Sequence, residues 1–301
     1  MNRKTPVSLF KSSILLALGC LICIMSSFLY ENQASHKRKK MQPLDIPLDA
    51  AFPEESKPSL DPCLYAVTFG DDRLKATRDR IVEEAKSFPL IREIFAYGDE
   101  ELRQHGFMDE NPGFIEANPQ GFGLWLWKPW VIRHVLSAGK VPENCYLAYV
   151  DVGCTISKSG EARAMEYMQA LHHQDKSVLA FQMPHLERKW TKGEIFDFFD
   201  ARHLADTGQL VAGIAVYKNN EVSRRLVAEW YDIMRTHPKM VDNSPSATPN
   251  FPDFIDNRHD QSIRSLLIKH KYANDVLLFS DETWSESFNY SVPFLATRNK
   301  F

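Results

Sequence analysis

GFGLWLWKPWVIRHVLSAGKVPENCYLAYVDVGC, residues 121–154, is the stretch on which the fold of this chain turns. Within it Tyr146–Val150 is a short apolar run rich in aromatic and β-branched residues, and it reads as a buried strand ending on Asp151, then Val152 and Gly153. In open α/β sheets ligands bind in the crevice outside the carboxyl ends of the strands. An acid at that point, followed by a glycine that permits close approach, is placed for a metal or polar ligand. A strand-end Asp that only caps a turn is the competing reading. Upstream, Trp125, Trp127 and Trp130 surround Lys128 and Pro129. Pro129 suits the first position of a helix that ends at Gly139, with Val131, Ile132, Val135 and Leu136 as its buried face. Flat indole faces suit the C–H faces of a sugar ring; core packing is the alternative for each of them.

Working outward, Leu64–Phe69 reads as a first buried strand followed by Gly70-Asp71-Asp72, where Asp71 reads as a turn residue. A helix follows from about Arg73 to Phe88, with Leu74, Ile81, Ala85 and Phe88 on one face, and then a strand over Ile91–Tyr97. Strand, amphipathic helix, strand is a βαβ unit, so the sheet is at least partly parallel and the class is α/β. Val178–Met183 reads as a further strand, and Thr191 to Glu194 as a capping box opening a helix that carries Ile195, Phe196, Phe198 and Phe199. Lys192 and Arg188 are cations able to neutralise a phosphate, or else solvated surface charges. Leu210–Tyr217 reads as one strand containing Gly213, where a backbone or ligand approaches closely. A helix over Ser223–Met234 and a Pro-rich loop over 245–252 precede His259-Asp260-Gln261-Ser262, which begins a helix with Ile263, Leu266 and Leu267 inward. Asp260 there is either a helix cap or a functional acid, flanked by an imidazole suited to metal and an amide suited to hydroxyls.

The chain has 301 residues, 44% hydrophobic and 25% charged, with a net charge of -3. That describes a globular chain with no basic footprint, and nucleic acid is a poor partner for it. Residues 1–11 form a short tail. Ser12–Tyr30 carries no charge and follows Arg3, Lys4 and Lys11; it is close to the roughly 20 apolar residues that cross a bilayer. We read it as an uncleaved single-pass anchor, with a cleaved signal peptide as the alternative. Orientation is open on charge alone, because Lys37-Arg38-Lys39-Lys40 rivals the N-terminal charges. Residues 31–62, with Pro43, Pro47, Pro53, Pro58 and Pro62, read as a stem, and 63–301 as the globular domain.

Gly121–Pro129, Tyr149–Cys154, Trp190-Thr191-Lys192, Ala212-Gly213-Ile214 and Arg258–Ser262, in that order, resemble a group of GT-A-type glycosyltransferases, from about residue 63 to the C-terminus. The resemblance implies a Rossmann-like, mixed, mainly parallel sheet flanked by helices, a nucleotide-sugar donor and a glycan acceptor. It implies Asp260, Gln261 and Asp151 as catalytic residues, and Trp125, Trp127, Lys128, Lys192 and Gly213 as donor- or acceptor-binding. Asp151 with His259 would hold a divalent cation, Mn²⁺ or Mg²⁺, on the leaving diphosphate, and Asp260 would serve as base or stabilise an oxocarbenium-like centre. The usual Asp-x-Asp metal motif is incomplete, since Gly153 stands at its third position. A catalytically inactive sugar-binding or scaffold protein of the same fold is therefore the alternative, and a phosphoesterase built on Asp151 and His259 a weaker one. An anchor, stem and C-terminal domain resemble a type II membrane protein facing the Golgi lumen, where the sequon Asn289-Tyr290-Ser291 would be usable; a bacterial or viral membrane-associated protein is the alternative. Oligomeric state is not legible. Cys20 and Cys23 lie in the anchor segment, and the GT-A strand order implies a Cys63–Cys145 disulfide with Cys154 free near the site.

Overall fold

The computed structural model describes residues 63–284 and 291–299, and its first elements are the expected βαβ unit: β1 (Leu64–Phe69), α1 (Lys75–Lys86) and β2 (Ile91–Tyr97). The anchor, the stem and Asn289-Tyr290 of the sequon lie outside the described residues. Among the described residues no helix is long and apolar enough to cross a membrane. The α-helix begins later than the sequence suggests, because the Asp71 side chain accepts from Arg73 N and winds Asp72–Leu74 into a tight 3-10 turn first.

In chain order the other principal elements are α2 (Trp127–Ser137), β3 (Tyr146–Val150), β4 (Thr155–Ile156), α3 (Glu161–His173) and β5 (Val178–Leu186). There follow α4 (Gly193–Phe198), β6 (Gly208–Leu210), β7 (Ile214–Lys218), α5 (Glu221–Thr236), α6 (Asp260–Lys271), β8 (Val276–Ser280) and β9 (Phe294–Leu295). The main sheet has seven strands in the order β2-β1-β3-β7-β5-β6, with β8 on β5. The pairings β1–β2, β1–β3 and β5–β8 are parallel; β3–β7, β5–β7 and β5–β6 are antiparallel. Thus β1, β2, β3, β5 and β8 share one direction while β6 and β7 oppose it, a mixed and mainly parallel sheet. Every residue of β3 is buried. A strand covered on both faces has no polar alternation to show, which is why Tyr146–Val150 reads as a continuous apolar run.

Three local expectations are corrected. The run Leu210–Tyr217 is two strands, because α6 takes up part of the backbone between them: Arg264 Nη1 donates to Val211 O (2.8 Å) and Ala212 N to Gln261 Oε1 (3.1 Å). The Thr191–Glu194 capping box does not form. Thr191 Oγ1 donates to buried Glu187, and α4 is capped from the Pro-rich loop, with Gly193 N on Asn250 Oδ1 (2.7 Å) and Glu194 N on Ser246 Oγ (3.1 Å). Pro129 is the third rather than the first residue of α2, because an unusual turn over residues 121–125 delivers the chain directly into Trp127.

The parallel pairing of β1 with β3 sets Leu64 opposite Tyr146 and brings the preceding cysteines together. Cys63 and Cys145 form a disulfide across a Cα–Cα distance of 5.1 Å, and Cys154 is a buried free thiol. The bridge closes a loop with a sequence separation of 82. Cys145→Ser is expected to lower the unfolding free energy by about 3–4 kcal/mol through freed loop entropy, read as a shift in the urea midpoint. Non-reducing peptide maps should recover Cys63 linked to Cys145, with Cys154 alkylated only after unfolding; a freely alkylated Cys63 would contradict the pairing.

Candidate active site

A cavity of about 710 Å³ lies at the carboxyl ends of β1 and β3. Its wall takes Phe69 and Asp71 from the end of β1, Asp151 to Cys154 from the end of β3, Gly213 beside β7, and Gln261 at the start of α6. This is where an α/β sheet binds ligands, since the strands end there and the loops beyond them diverge.

One wall is a left-handed turn. Gly121, Phe122, Gly123, Leu124 and Trp125 have φ of 57°, 54°, 82°, 52° and 58°. For L-residues each such step costs about 1–2 kcal/mol, and only glycine takes it freely, so five in succession require support from their surroundings. Trp127 Nε1 donates to Gly121 O (2.9 Å), and the Trp127 ring packs on Phe69 with centroids 4.2 Å apart. A Cβ at Gly121 would stand 2.5 Å from the Trp125 indole, so glycine is needed there for space as well as for conformation. The turn directs Phe122, Trp125 and Trp127 to the cavity. Trp130, the third tryptophan, is buried away from it against Phe107 and His134.

The next residue, Lys128, is only 4% exposed. Its Nζ stands 2.8 Å from Asp260 Oδ2 and 3.4 Å from Asp151 Oδ1, and over the rings of Tyr149 and Trp127. The close approach to Asp260 is an ion pair without hydrogen-bond alignment. Burial acts to lower the lysine's pKa, but Asp151 and then Asp260 outweigh it and hold the ammonium above its ordinary value. Tyr149 OH donates to Asp151 Oδ1 (2.5 Å); burial first and Asp151 second raise the phenol's pKa well above normal, so it stays a donor. Asp151 is the member of this group that meets the cavity, its side chain 41% exposed, while Asp260 and Lys128 lie behind it. The same burial and the same carboxylate push the Cys154 thiol up, leaving it protonated and inert.

Gly213 completes the wall. Asp151 N donates to Gly213 O (2.8 Å), continuing the β3–β7 register, and a Cβ on Gly213 would lie 2.7 Å from Asp151 Oδ2. Opposite, His259 precedes α6 with φ 54° and ψ −122°, a conformation costly for a non-glycine. It is held by Nδ1 against Val241 O (2.6 Å) and by stacking on Trp125 at 4.3 Å. The sharp entry points Asp260 at Lys128 rather than at the helix's own first amides. Gln261 lines the cavity, but its amide is engaged with Ala212 N and Gln209.

Of the sequence-derived candidates, the fold brings together Asp151, Lys128, Asp260, Gly213, Gln261, Trp125, Trp127 and His259. Lys192 goes elsewhere: it is 3% exposed and its Nζ fastens the segment after α5 through Lys239 O (2.5 Å) and Asp242 (3.3 Å). That use of the ammonium leaves it off the cavity wall and corrects the donor-binding role expected for it. The divalent cation implied by the resemblance does not fit these residues. Among the described residues no three of His, Cys, Asp or Glu converge, and an ammonium already faces both Asp151 and Asp260.

The sequence reading misses Tyr149, although its position two residues before Asp151 on a strand puts both on one face, a signal that was available. It also misses Asp281, Trp284 and Arg298, which reach the cavity from the end of the chain. The antiparallel pairing of β9 with β4 and the ion pair Arg163–Glu282 (2.8 Å) carry them there, contacts that no local pattern announces.

No family model and no curated protein matches the chain. Among solved structures it is similar to a glycosyltransferase involved in the glycosylation of the major capsid of PBCV-1, at 10% identity and a TM-score of 0.40, over 73% of this chain and 82% of that one. It is also similar to apo mouse xyloside xylosyltransferase 1, at 9% identity and a TM-score of 0.40, over 73% and 86% of the two chains. The galactosyltransferase LgtC, in complex with donor and acceptor sugar analogs, is similar at 15% identity and a TM-score of 0.36, over 71% and 72%.

Gly121→Ala is expected to destabilise the protein by about 1–3 kcal/mol and to displace Trp125, because strain and a clash add at one position. Urea unfolding followed by tryptophan emission reads both effects; an unchanged midpoint and spectrum would remove the turn from its supporting role.

Proposed function

We propose that the chain is a glycosyltransferase that moves a sugar from a nucleotide-diphospho-sugar donor to a glycan acceptor. The observation that carries this reading is Asp151, a solvent-facing carboxylate at the carboxyl end of β3, opening on a cavity walled by Phe122, Trp125 and Trp127. A cavity of about 710 Å³ is within the usual range for small-molecule sites. The indole faces suit the apolar faces of sugar rings or a base.

Transfer from such a donor needs positive charge near the leaving diphosphate and a group to receive the acceptor's proton. Arg73 and Arg298 are the cations on the cavity wall, and they are suited to the first task. Asp151 is suited to the second: Tyr149 and Lys128 hold Oδ1, which leaves Oδ2 toward Gly213 and the cavity. Asp260 then acts through Lys128 as a positioning residue, a change from the base expected of it, because it lies behind the ammonium rather than at the wall. A lumen-facing address with an anchor over residues 12–30 belongs to the same reading. The Cys63–Cys145 disulfide supports it, since such bridges persist in oxidising compartments.

Incubation with a panel of nucleotide sugars and glycan acceptors is expected to release nucleoside diphosphate with at least one donor. Asp151→Asn should lower that turnover by about 10³-fold with the thermal midpoint preserved. Gly213→Ala should cost about tenfold or more by pushing the carboxylate aside. Donor binding without any release would favour the inactive sugar-binding alternative, and absence of binding across the panel would refute both.

A further inference from the structure

We infer that Lys128 occupies the position a divalent cation would take between Asp151 and Asp260, so that the site takes its nucleotide-sugar without a metal. The inference rests on the glycosyltransferase reading for the identity of the ligand, but the geometry behind it stands apart from that reading.

A metal shared by Asp151 and Asp260 would need oxygens of both at about 2.0–2.6 Å from one point. The ammonium of Lys128 is already at such a point, facing Asp260 Oδ2 at 2.8 Å and Asp151 Oδ1 at 3.4 Å, with aromatic faces of Tyr149 and Trp127 within 5.8 Å. Asp151 Oδ1 also receives the Tyr149 hydroxyl at 2.5 Å, which further reduces its capacity for a metal. Oδ2 of Asp151 is the oxygen left toward the cavity, and the buried ammonium offsets one of the two carboxylate charges, which weakens the pull of the pair on a second cation. The chain around the site is consistent with this. Where a second acid of an Asp-x-Asp motif would stand there is Gly153, whose carbonyl accepts from Thr297 Oγ1 (3.3 Å) and ties the β3 end to the C-terminal segment. That segment carries Arg298, and β1 leads to Arg73, which is paired with Asp71 (2.6 Å), so two guanidinium groups border the cavity. Lysine suits the task because its ammonium is a compact charge on a long apolar stem, able to stay buried between two acids.

The test is a titration of the full chain with Mn²⁺, followed by the electron paramagnetic resonance signal of the free ion, for the wild type and for Lys128→Met and Lys128→Arg. The wild type and Lys128→Arg are expected to leave Mn²⁺ free into the millimolar range. Lys128→Met, which uncovers two carboxylates around an apolar stem, should bind one Mn²⁺ at least about tenfold more tightly. If Lys128→Met does not fold, the wild-type titration decides alone. In parallel, uridine, guanosine and cytidine diphosphates are titrated calorimetrically into the wild type in EDTA and in Mn²⁺. Affinities within about twofold of each other are expected. Micromolar Mn²⁺ binding by the wild type that is lost in Asp151→Asn, or a tenfold gain in diphosphate affinity with Mn²⁺, would overturn the inference. If no diphosphate binds in either medium, the glycosyltransferase reading fails, and the metal titration still decides the role of Lys128.

Discussion

A buried ammonium between two carboxylates is the contact on which the rest of the site depends. Lys128 belongs to α2, Asp151 to the end of β3 and Asp260 to the start of α6, so one charge fixes the relative position of three elements far apart in sequence. Desolvating the Lys128–Asp260 pair is expensive, and removing one partner from such a pair costs about 3–5 kcal/mol because the other is left uncompensated. The geometry is therefore under strong constraint. Asp151, less buried than its partners, presents its remaining oxygen to the cavity in a defined direction.

Two local departures from regular structure serve that arrangement. The left-handed turn of residues 121–125 puts strain into the chain immediately before Lys128, and the break over Val211–Gly213 interrupts the strand beside Asp151. Each is stabilised from elsewhere: the turn by Trp127 and Phe69, the break by Gln261 and Arg264 of α6. Strain that persists because packing over-determines it is common at binding sites, and here both instances border the same cavity.

Behind α6 a second buried ion pair has a different character. Glu187 is fully buried and accepts from Lys269 (2.6 Å), Thr191 (2.7 Å) and Ser265, while Lys269 also donates to Thr207 and Gly208 O. Both charges are hydrogen-bonded several times over, and neither meets the cavity, so the network joins β5, β6 and α6 without offering anything to a ligand. By contrast Asp260 Oδ2 has an ion-pair partner but no aligned hydrogen bond. The saturated network anchors the helix; the less saturated triad borders the ligand space.

Much of this architecture was legible in the chain itself. The strands at Leu64–Phe69, Ile91–Tyr97 and Tyr146–Val150 follow from apolar runs whose period needs only local contacts, and Asp151 follows from where the last of them ends. The Cys63–Cys145 pairing followed once the resemblance supplied a strand order, because adjacent parallel strands bring their leading residues within disulfide reach. What only the tertiary structure decided is the fate of each charged or polar side chain. Lys128 and Lys192 are both lysines beside a helix start in tryptophan-bearing motifs, yet one is trapped between acids of two distant elements and the other is spent on the Lys239 carbonyl and Asp242. Thr191 and Glu194 satisfy a capping pattern, but Glu187 and the 245–250 loop offered better partners. Asp281, Trp284 and Arg298 arrive through β9 and Arg163, across more than a hundred residues. Periodicity reports which face of an element is buried, since that is set by neighbours a few residues away. The partner of a charge is set by whichever opposite charge the fold brings within about 4 Å, and that distance is a property of the assembled chain.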